Sequence, residues 1–559
     1  MKNFHRNLIG LFLCLASIPA FAQDYYQDQR KGWLEKAEKL KPQLSETRKY
    51  PFRIVHITED KASFQGWKAS GTNLALDSLY QSSFKKQGTV IFDFGEHLTG
   101  YFSFKLSPLK SIPDAPIRLK FTFGEVPSEL AIPFDPYKGE LGRAWLQDEV
   151  VTVMEIPSTT TIARRLSFRY VKIELLGSSP YFDFSISDMN CKAVTSAETK
   201  PATLLASTNQ MIQDIDKVGI KTLKECMQTV YEDGPKRDRR LWIGDLYLES
   251  LANTYSFKNF NLTKRCLYLL AGLSGNNGYL IANIFETPEP HANTGQYLMD
   301  YAFLYNAALK EYIVATNDLE TANDLWPVAK KQLDIIYEYL QPNGLMNDER
   351  ANKEWWLFFD WKNGLDKEAS LQGITIYTLK QTYDLAKLLN KQDEVKSLPG
   401  LIAKMTAAAR KHLYNKSTGL FESGKEKQIS YASQVWMILG GVLSQSESQK
   451  ALTALTGNKS AVYPGTPYLT HYYIQALINT GMHREAKQKL TDYWGGMVQK
   501  GADTFWEVYD PINEYLSPYN FFPINSYCHA WSCTPVYFIR KYPEIFQSSG
   551  EKQPETLNQ

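Results

Sequence analysis

Cysteine is scarce in this chain: there are six in 559 residues, and no C-x-x-C pair occurs. That speaks against a disulfide framework or a cysteine-held zinc ion and leaves Cys191, Cys226, Cys266, Cys528 and Cys533 as isolated thiols suited to burial. Charge of one sign is missing too. Lys and Arg total 62 against 60 Asp and Glu, a formal net charge of +2, with no basic stripe or block of like charge. Nucleic acid and anionic membrane surfaces are therefore poor partners. Beyond the first residues no stretch reaches the roughly 18 unbroken apolar residues of a membrane span. There is no G-x-S-x-G elbow, phosphate loop, dinucleotide fingerprint or H-E-x-x-H. Neither a cofactor nor a metal is expected.

The start of the chain does have a pattern. Lys2 and Arg6 precede a short apolar run over residues 8–20, and Ala20-Phe21-Ala22 supplies small residues at the cleavage positions. This reads as a signal peptide over residues 1–22, with a mature periplasmic or secreted protein expected to begin at Gln23. Aromatics are plentiful, at 34 Tyr, 28 Phe and 12 Trp. They can fill a core, or line a sugar cleft where ring faces stack on pyranose C–H groups.

Residues 23–50 form a charged lead-in. Over 51–196 the texture is that of strands. Ile117-Arg118-Leu119-Lys120-Phe121-Thr122-Phe123 alternates with period two, and residues 165–175 change phase midway, the mark of a bulge or bend. This reads as an antiparallel β-sandwich. From 197 to 545 the period is helical: Ile376, Leu379, Tyr383 and Ala386 fall on one stripe, and Gly481 is placed to end a helix before another starts near Arg484. Roughly 340 residues at about 28 per helix and loop hold about twelve helices, enough for a double ring of six hairpins, an (α/α)6 barrel. The fold class is thus mainly α and multidomain. The polar tail, residues 546–559, is expected to be disordered.

Four segments could carry chemistry. The densest is Glu232-Asp233-Gly234-Pro235-Lys236-Arg237-Asp238-Arg239-Arg240-Leu241-Trp242-Ile243-Gly244-Asp245. A run of charge is commonly a solvated face, but Leu241, Trp242 and Ile243 disfavour full exposure, and carboxylates among guanidinium groups suit a cleft that binds hydroxyls and tunes proton affinity. The second is Thr504-Phe505-Trp506-Glu507-Val508-Tyr509, a carboxylate amid aromatics. The third, Cys528-His529-Ala530-Trp531, holds a histidine that structure alone could explain. The fourth is Asp360-Trp361.

At these residues the chain resembles glycoside hydrolase family 78, the bacterial α-L-rhamnosidases. Asp233, Arg237-Asp238-Arg239 and Trp242-Ile243-Gly244-Asp245 match the family's acidic motif without a gap. Thr504-Phe505-Trp506-Glu507 is similar to its T-x-W-E segment, Cys528-His529-Ala530-Trp531 to its late His segment, and Asp360-Trp361 to a barrel-loop pair. The resemblance implies single-displacement hydrolysis of an α-L-rhamnosyl bond in an oligo- or polysaccharide. Asp238 would be the general acid and Glu507 the base, with Asp233, Arg237, Asp245, Asp360 and His529 on hydroxyls and Trp242, Trp361 and Trp506 as an apolar wall. Arg237 and Arg239 would oppose the protonation of Asp238 that Asp233 and Asp245 favour. Two departures stand out: the family's acid is usually Glu, which makes Glu249, one turn beyond Asp245, a substitute, and Leu241 replaces a usual Gly. A glycan-binding module on the same fold and an (α/α)-barrel lyase are the competing readings.

Overall fold

The computed structural model describes residues 24–547. The expected signal peptide, with its cleavage site, and residues 548–559 of the expected tail lie outside them. The tail does not begin at 546. Phe546 is fully buried, and the side chain of Gln547 donates to the Ile539 carbonyl and accepts from the Leu205 amide.

Nine antiparallel strands build the first domain: β1 (Ser45–Lys49), β2 (Arg53–Glu59), β3 (Trp67–Gly71), β4 (Thr89–Lys110), β5 (Ile117–Gly124), β6 (Asp148–Val153), β7 (Ser158–Thr161), β8 (Leu166–Gly177) and β9 (Asp183–Thr195). β4 is shared by two layers. Its first half lies between β2 and β8, its second between β9 and β7. The register slips between Asp93 and Leu98, where Gly95 takes φ +78 and its amide is held by the Asp93 carboxylate at 2.8 Å. A glycine fits there because a side chain would be strained at that φ. The layers close on Phe92, Phe102, Phe104, Phe121, Phe123, Phe168 and Phe184, all fully buried.

The lead-in is not a separate segment. Its helix, Arg30–Lys39, packs on the barrel through Trp33 and Ala37, while Ser45–Lys49 is the strand that pairs with β9.

Twelve helices among the described residues form the barrel. They are α1 (Gln210–Cys226), α2 (Ile243–Thr254), α3 (Phe260–Gly272), α4 (Met299–Thr316), α5 (Leu319–Lys331), α6 (Glu368–Leu388), α7 (Leu398–His412), α8 (Tyr431–Leu439), α9 (Gln445–Gly457), α10 (Pro467–Asn479), α11 (His483–Gln499) and α12 (Pro535–Lys541). The even-numbered ones form the inner ring. α2 packs on α4, α4 on α6, α6 on α8 and α8 on α10, and the turn Ala530–Cys533 with α12 closes the ring back onto α2. Inner helices are buried on most sides, as a helix apolar all round must be. Outer ones are amphipathic: α1 buries Ile212, Ile215, Val218 and Leu223 and leaves Lys217 outside. Asn209, Asn259, Asp318, Ser444 and Thr466 cap helix starts, and Gly481, at φ +80, follows the end of α10 as its position in the sequence predicts. Each inner helix is entered from an outer one, so the segments leading into the inner helices share one face.

Close packing of the inner ring depends on Gly373 in α6. A Cβ there would lie 2.5 Å from the Trp436 carbonyl carbon of α8. Gly373→Ala should therefore lower stability by about 1–3 kcal/mol through overpacking. A thermal melt checks this, and an unchanged midpoint would show that the helices do not meet there as described.

Candidate active site

The face carrying the entry segments holds a cavity of about 370 Å³, within the range of small-molecule sites. Four segments of the barrel line it. Asp233, Arg237, Asp238, Arg240 and Trp242 lead into α2, whose first turn adds Asp245, and Gln296 and Leu298 lead into α4, whose first turn adds Tyr301. Trp356, Phe358 and Trp361 lead into α6, and Glu507, Tyr519, His529 and Trp531 into α12. The β-domain adds Leu141, Gly142 and Trp145 from the connection between β5 and β6.

Glu507 is 1% exposed and firmly held. Its Oε1 accepts from the Tyr519 hydroxyl at 2.5 Å, and its Oε2 from the Ser526 amide at 3.2 Å and from Arg237 Nη2. Arg237, also buried, lies over the Tyr519 ring at 4.4 Å, and its Nε donates to the Ile524 carbonyl. The other terminal nitrogen of the same guanidinium, Nη1, is 3.7 Å from Asp238 Oδ1. Asp238 is held more loosely. Its second contact is Arg240 at 3.6 Å, and 19% of its side chain is open. Arg239, expected to act on Asp238, turns away to the Pro235 and Arg165 carbonyls, so Arg240 takes that place.

Around this pair the polar groups are poor in partners. Asp245 Oδ1 and His529 Nδ1 are buried, 3.7 Å apart, and neither has a protein hydrogen bond. Burial pushes the Asp245 carboxyl well above the carboxylate range, with Glu507 and Asp238 adding to it, and burial drives His529 well below its usual value, so its ring is neutral. Burial, then Asp238 and Asp245, also raise Asp233, whose Oδ1 accepts the Arg240 amide at 3.0 Å. Aromatic rings form the wall. Trp242 meets Trp356 at 6.4 Å, Phe358 stacks on Trp531 at 5.7 Å, and Trp361 meets Phe358 at 5.0 Å and Tyr519 at 5.8 Å. Among the described residues no group of three or more His, Cys, Asp or Glu is arranged to hold a metal ion.

The cavity thus brings together Asp233, Arg237, Asp238, Trp242, Asp245, Trp361, Glu507 and His529. Two expected members are elsewhere. Trp506 points to the opposite side from its neighbour Glu507 and stacks on Phe64 of the β-domain at 3.9 Å. Asp360 accepts the Gly465 amide and the Thr466 hydroxyl, both at 2.6 Å, at the start of α10. It organises a helix end, and burial pushes its pKa up to about 6. Glu249 does not line the cavity either. It lies in the core beneath Asp245, fully buried, with both carboxylate oxygens unpartnered and its pKa driven well up by burial. Sequence reasoning missed Tyr519, Trp356, Phe358, Arg240 and the whole β-domain wall. The Trp355-Trp356 pair shortly before Asp360-Trp361 was a usable signal, whereas nothing local marked Trp145 or Tyr519.

Because Trp506 fills the domain boundary, Trp506→Ala should lower stability by about 3–5 kcal/mol, read by denaturant unfolding. The KM of whatever protein still folds should stay near the wild-type value, and a large rise in KM at unchanged stability would put the indole back in the substrate site.

Comparison with known proteins agrees with this geometry. The family model for the glycosyl hydrolase family 78 α-rhamnosidase N-terminal domain matches residues 51–193. That for the bacterial α-L-rhamnosidase six-hairpin glycosidase domain matches residues 200–542. A solved rhamnosidase from Klebsiella oxytoca with rhamnose bound is 38% identical, with a TM-score of 0.88 over 92% of this chain and 99% of that one. The family 78 rhamnosidase of Bacillus sp. GL1 shares the fold at 19% identity and a TM-score of 0.68, covering 81% of this chain and 46% of that one. The Streptomyces avermitilis α-L-rhamnosidase complexed with L-rhamnose does so at 15% and 0.63, covering 89% and 44%. No curated protein is a significant match. With the six-hairpin model matching residues 200–542 of the 559 and a solved rhamnosidase 38% identical along almost its whole length, the chain belongs to the α-L-rhamnosidases of glycoside hydrolase family 78.

Proposed function

We propose that this enzyme removes terminal α-L-rhamnosyl residues from oligo- or polysaccharides in one inverting displacement, with Asp238 as general acid and Glu507 as general base. The observation that carries the reading is the Arg237 guanidinium, one terminal nitrogen on the immobilised Glu507 and the other beside the more open Asp238. Glu507 accepts from three donors, as a charged carboxylate does, and is fixed to orient a water. Asp238, with only loose ion pairs at 3.6 and 3.7 Å, is free to meet a leaving-group oxygen. The shorter Asp widens the gap between the two carboxyls, toward the roughly 6.5–9.5 Å that admits a water. The unpartnered Asp245 and His529 atoms suit sugar hydroxyls, and the Trp242, Trp356 and Phe358 rings suit the methyl group of a 6-deoxy sugar. The rhamnose in the solved Klebsiella oxytoca relative supports the choice of sugar. The residues 1–22 signal supports export to the periplasm, and N-terminal sequencing of the mature protein should begin at Gln23. Met1 retained on a cytoplasmic protein would refute it.

With an aryl α-L-rhamnoside, proton NMR in the first minutes should show the anomer opposite to that of the substrate. Retained configuration would make Glu507 a nucleophile and end this mechanism. Asp238→Asn should cut kcat by about 10²–10⁴ on poor leaving groups and spare good ones, because an activated leaving group needs less protonation. Equal losses on both would remove Asp238 from the acid role.

A further inference from the structure

Lys236 precedes Arg237, yet its side chain leaves the cleft and enters the boundary between the two domains, where it is completely buried. Its ammonium donates to Glu129 Oε1 at 2.5 Å and to the carbonyls of Pro523 and Asn525 at 2.8 and 2.7 Å. Glu129 comes from the β-domain, in the short helix after β5. Its other oxygen accepts the amides of Glu125 and Val126 at 2.6 and 3.1 Å. Glu125, equally buried, accepts from His97 Nε2 and the Ser167 hydroxyl through one oxygen, and from the Tyr527 amide at 2.7 Å through the other. Residues 523–527 of the barrel are thus held at three points, the Tyr527 amide by Glu125 directly and the Pro523 and Asn525 carbonyls by the Lys236 ammonium that Glu129 anchors.

That segment is also the cradle of the base. The Ile524 carbonyl receives Arg237 Nε, the Ser526 amide donates to Glu507 Oε2, and the Ser526 carbonyl accepts the Glu507 amide. We propose that Lys236, Glu125 and Glu129 are positioning residues for hydrolysis, so that the β-domain sets the aim of the base through residues 523–527. The proposal rests on the reading of Glu507 as base. A carboxylate that activates a water must hold its direction closely, and a displacement of about 1 Å can cost on the order of 100-fold in rate. The ion pair here is fully desolvated, so its geometry is set by three short donor contacts and not by solvent.

The test is Lys236→Met in the full chain. We expect kcat to fall roughly 10- to 100-fold with KM nearly unchanged, and the loss to be equal for good and poor aryl leaving groups because water activation and not protonation is impaired. Calorimetric titration with L-rhamnose should still count one site per chain, which separates misaimed sites from unfolded protein. If Lys236→Met fails to fold because two carboxylates are left unpaired, the double variant Lys236→Met/Glu129→Gln gives the same readouts with the charge pair removed together. A kcat per rhamnose-binding site equal to that of the wild type, in either variant, overturns the proposal. A wild-type enzyme that releases no rhamnose would count instead against the reading of Glu507.

Discussion

A guanidinium removed from water must be met by charge and by acceptors for its hydrogens, or it will not stay buried. Arg237 satisfies this with Glu507, Asp238, the Ile524 carbonyl and the face of Tyr519. The same guanidinium holds Glu507 and lies loosely beside Asp238, although the two carboxylates come from segments some 270 residues apart. The burial of one charge and the placement of Glu507 are therefore one arrangement, and much of the surrounding structure serves to hold it.

The ring supplies the convergence. Alternation of outer and inner helices sends the loops before α2, α4, α6 and α12 to one face, where acidic, aromatic and histidine side chains meet. The β-domain is more than an attachment. It covers one side of the cleft with Leu141, Gly142 and Trp145, packs Phe64 on Trp506 next to Glu507, and sends Glu125 and Glu129 to the boundary.

The polar groups divide by how completely the protein satisfies them. Glu507, Asp233 and Asp360 have amide or hydroxyl donors within the fold. Asp245 and His529 line the cavity and keep buried atoms without partners. Glu249 has unpartnered oxygens as well, but away from the cavity. Lack of a partner alone does not make a site; access to the cleft is also needed.

Much of the architecture could be read from local pattern. Period-two alternation around Ile117 and helical stripes such as Ile376, Leu379 and Ala386 report which face of an element is apolar, and each element needs only its own residues for that. The acidic motif was legible because its residues lie within a short stretch next to Trp242. Which side a residue faces in an irregular loop was not legible. Trp506 and Glu507 are neighbours, yet one packs into the domain boundary and the other into the cleft, and Asp360 is claimed by the amide and hydroxyl at the start of α10, about a hundred residues away. The partners of Arg237, the turn of Arg239 away from Asp238 and the β-domain wall all depend on contacts between distant segments. Sequence by itself determined the two textures and the chemical groups; only the tertiary structure decided which groups meet, because hydrogen-bond partners are chosen by proximity in space and not along the chain.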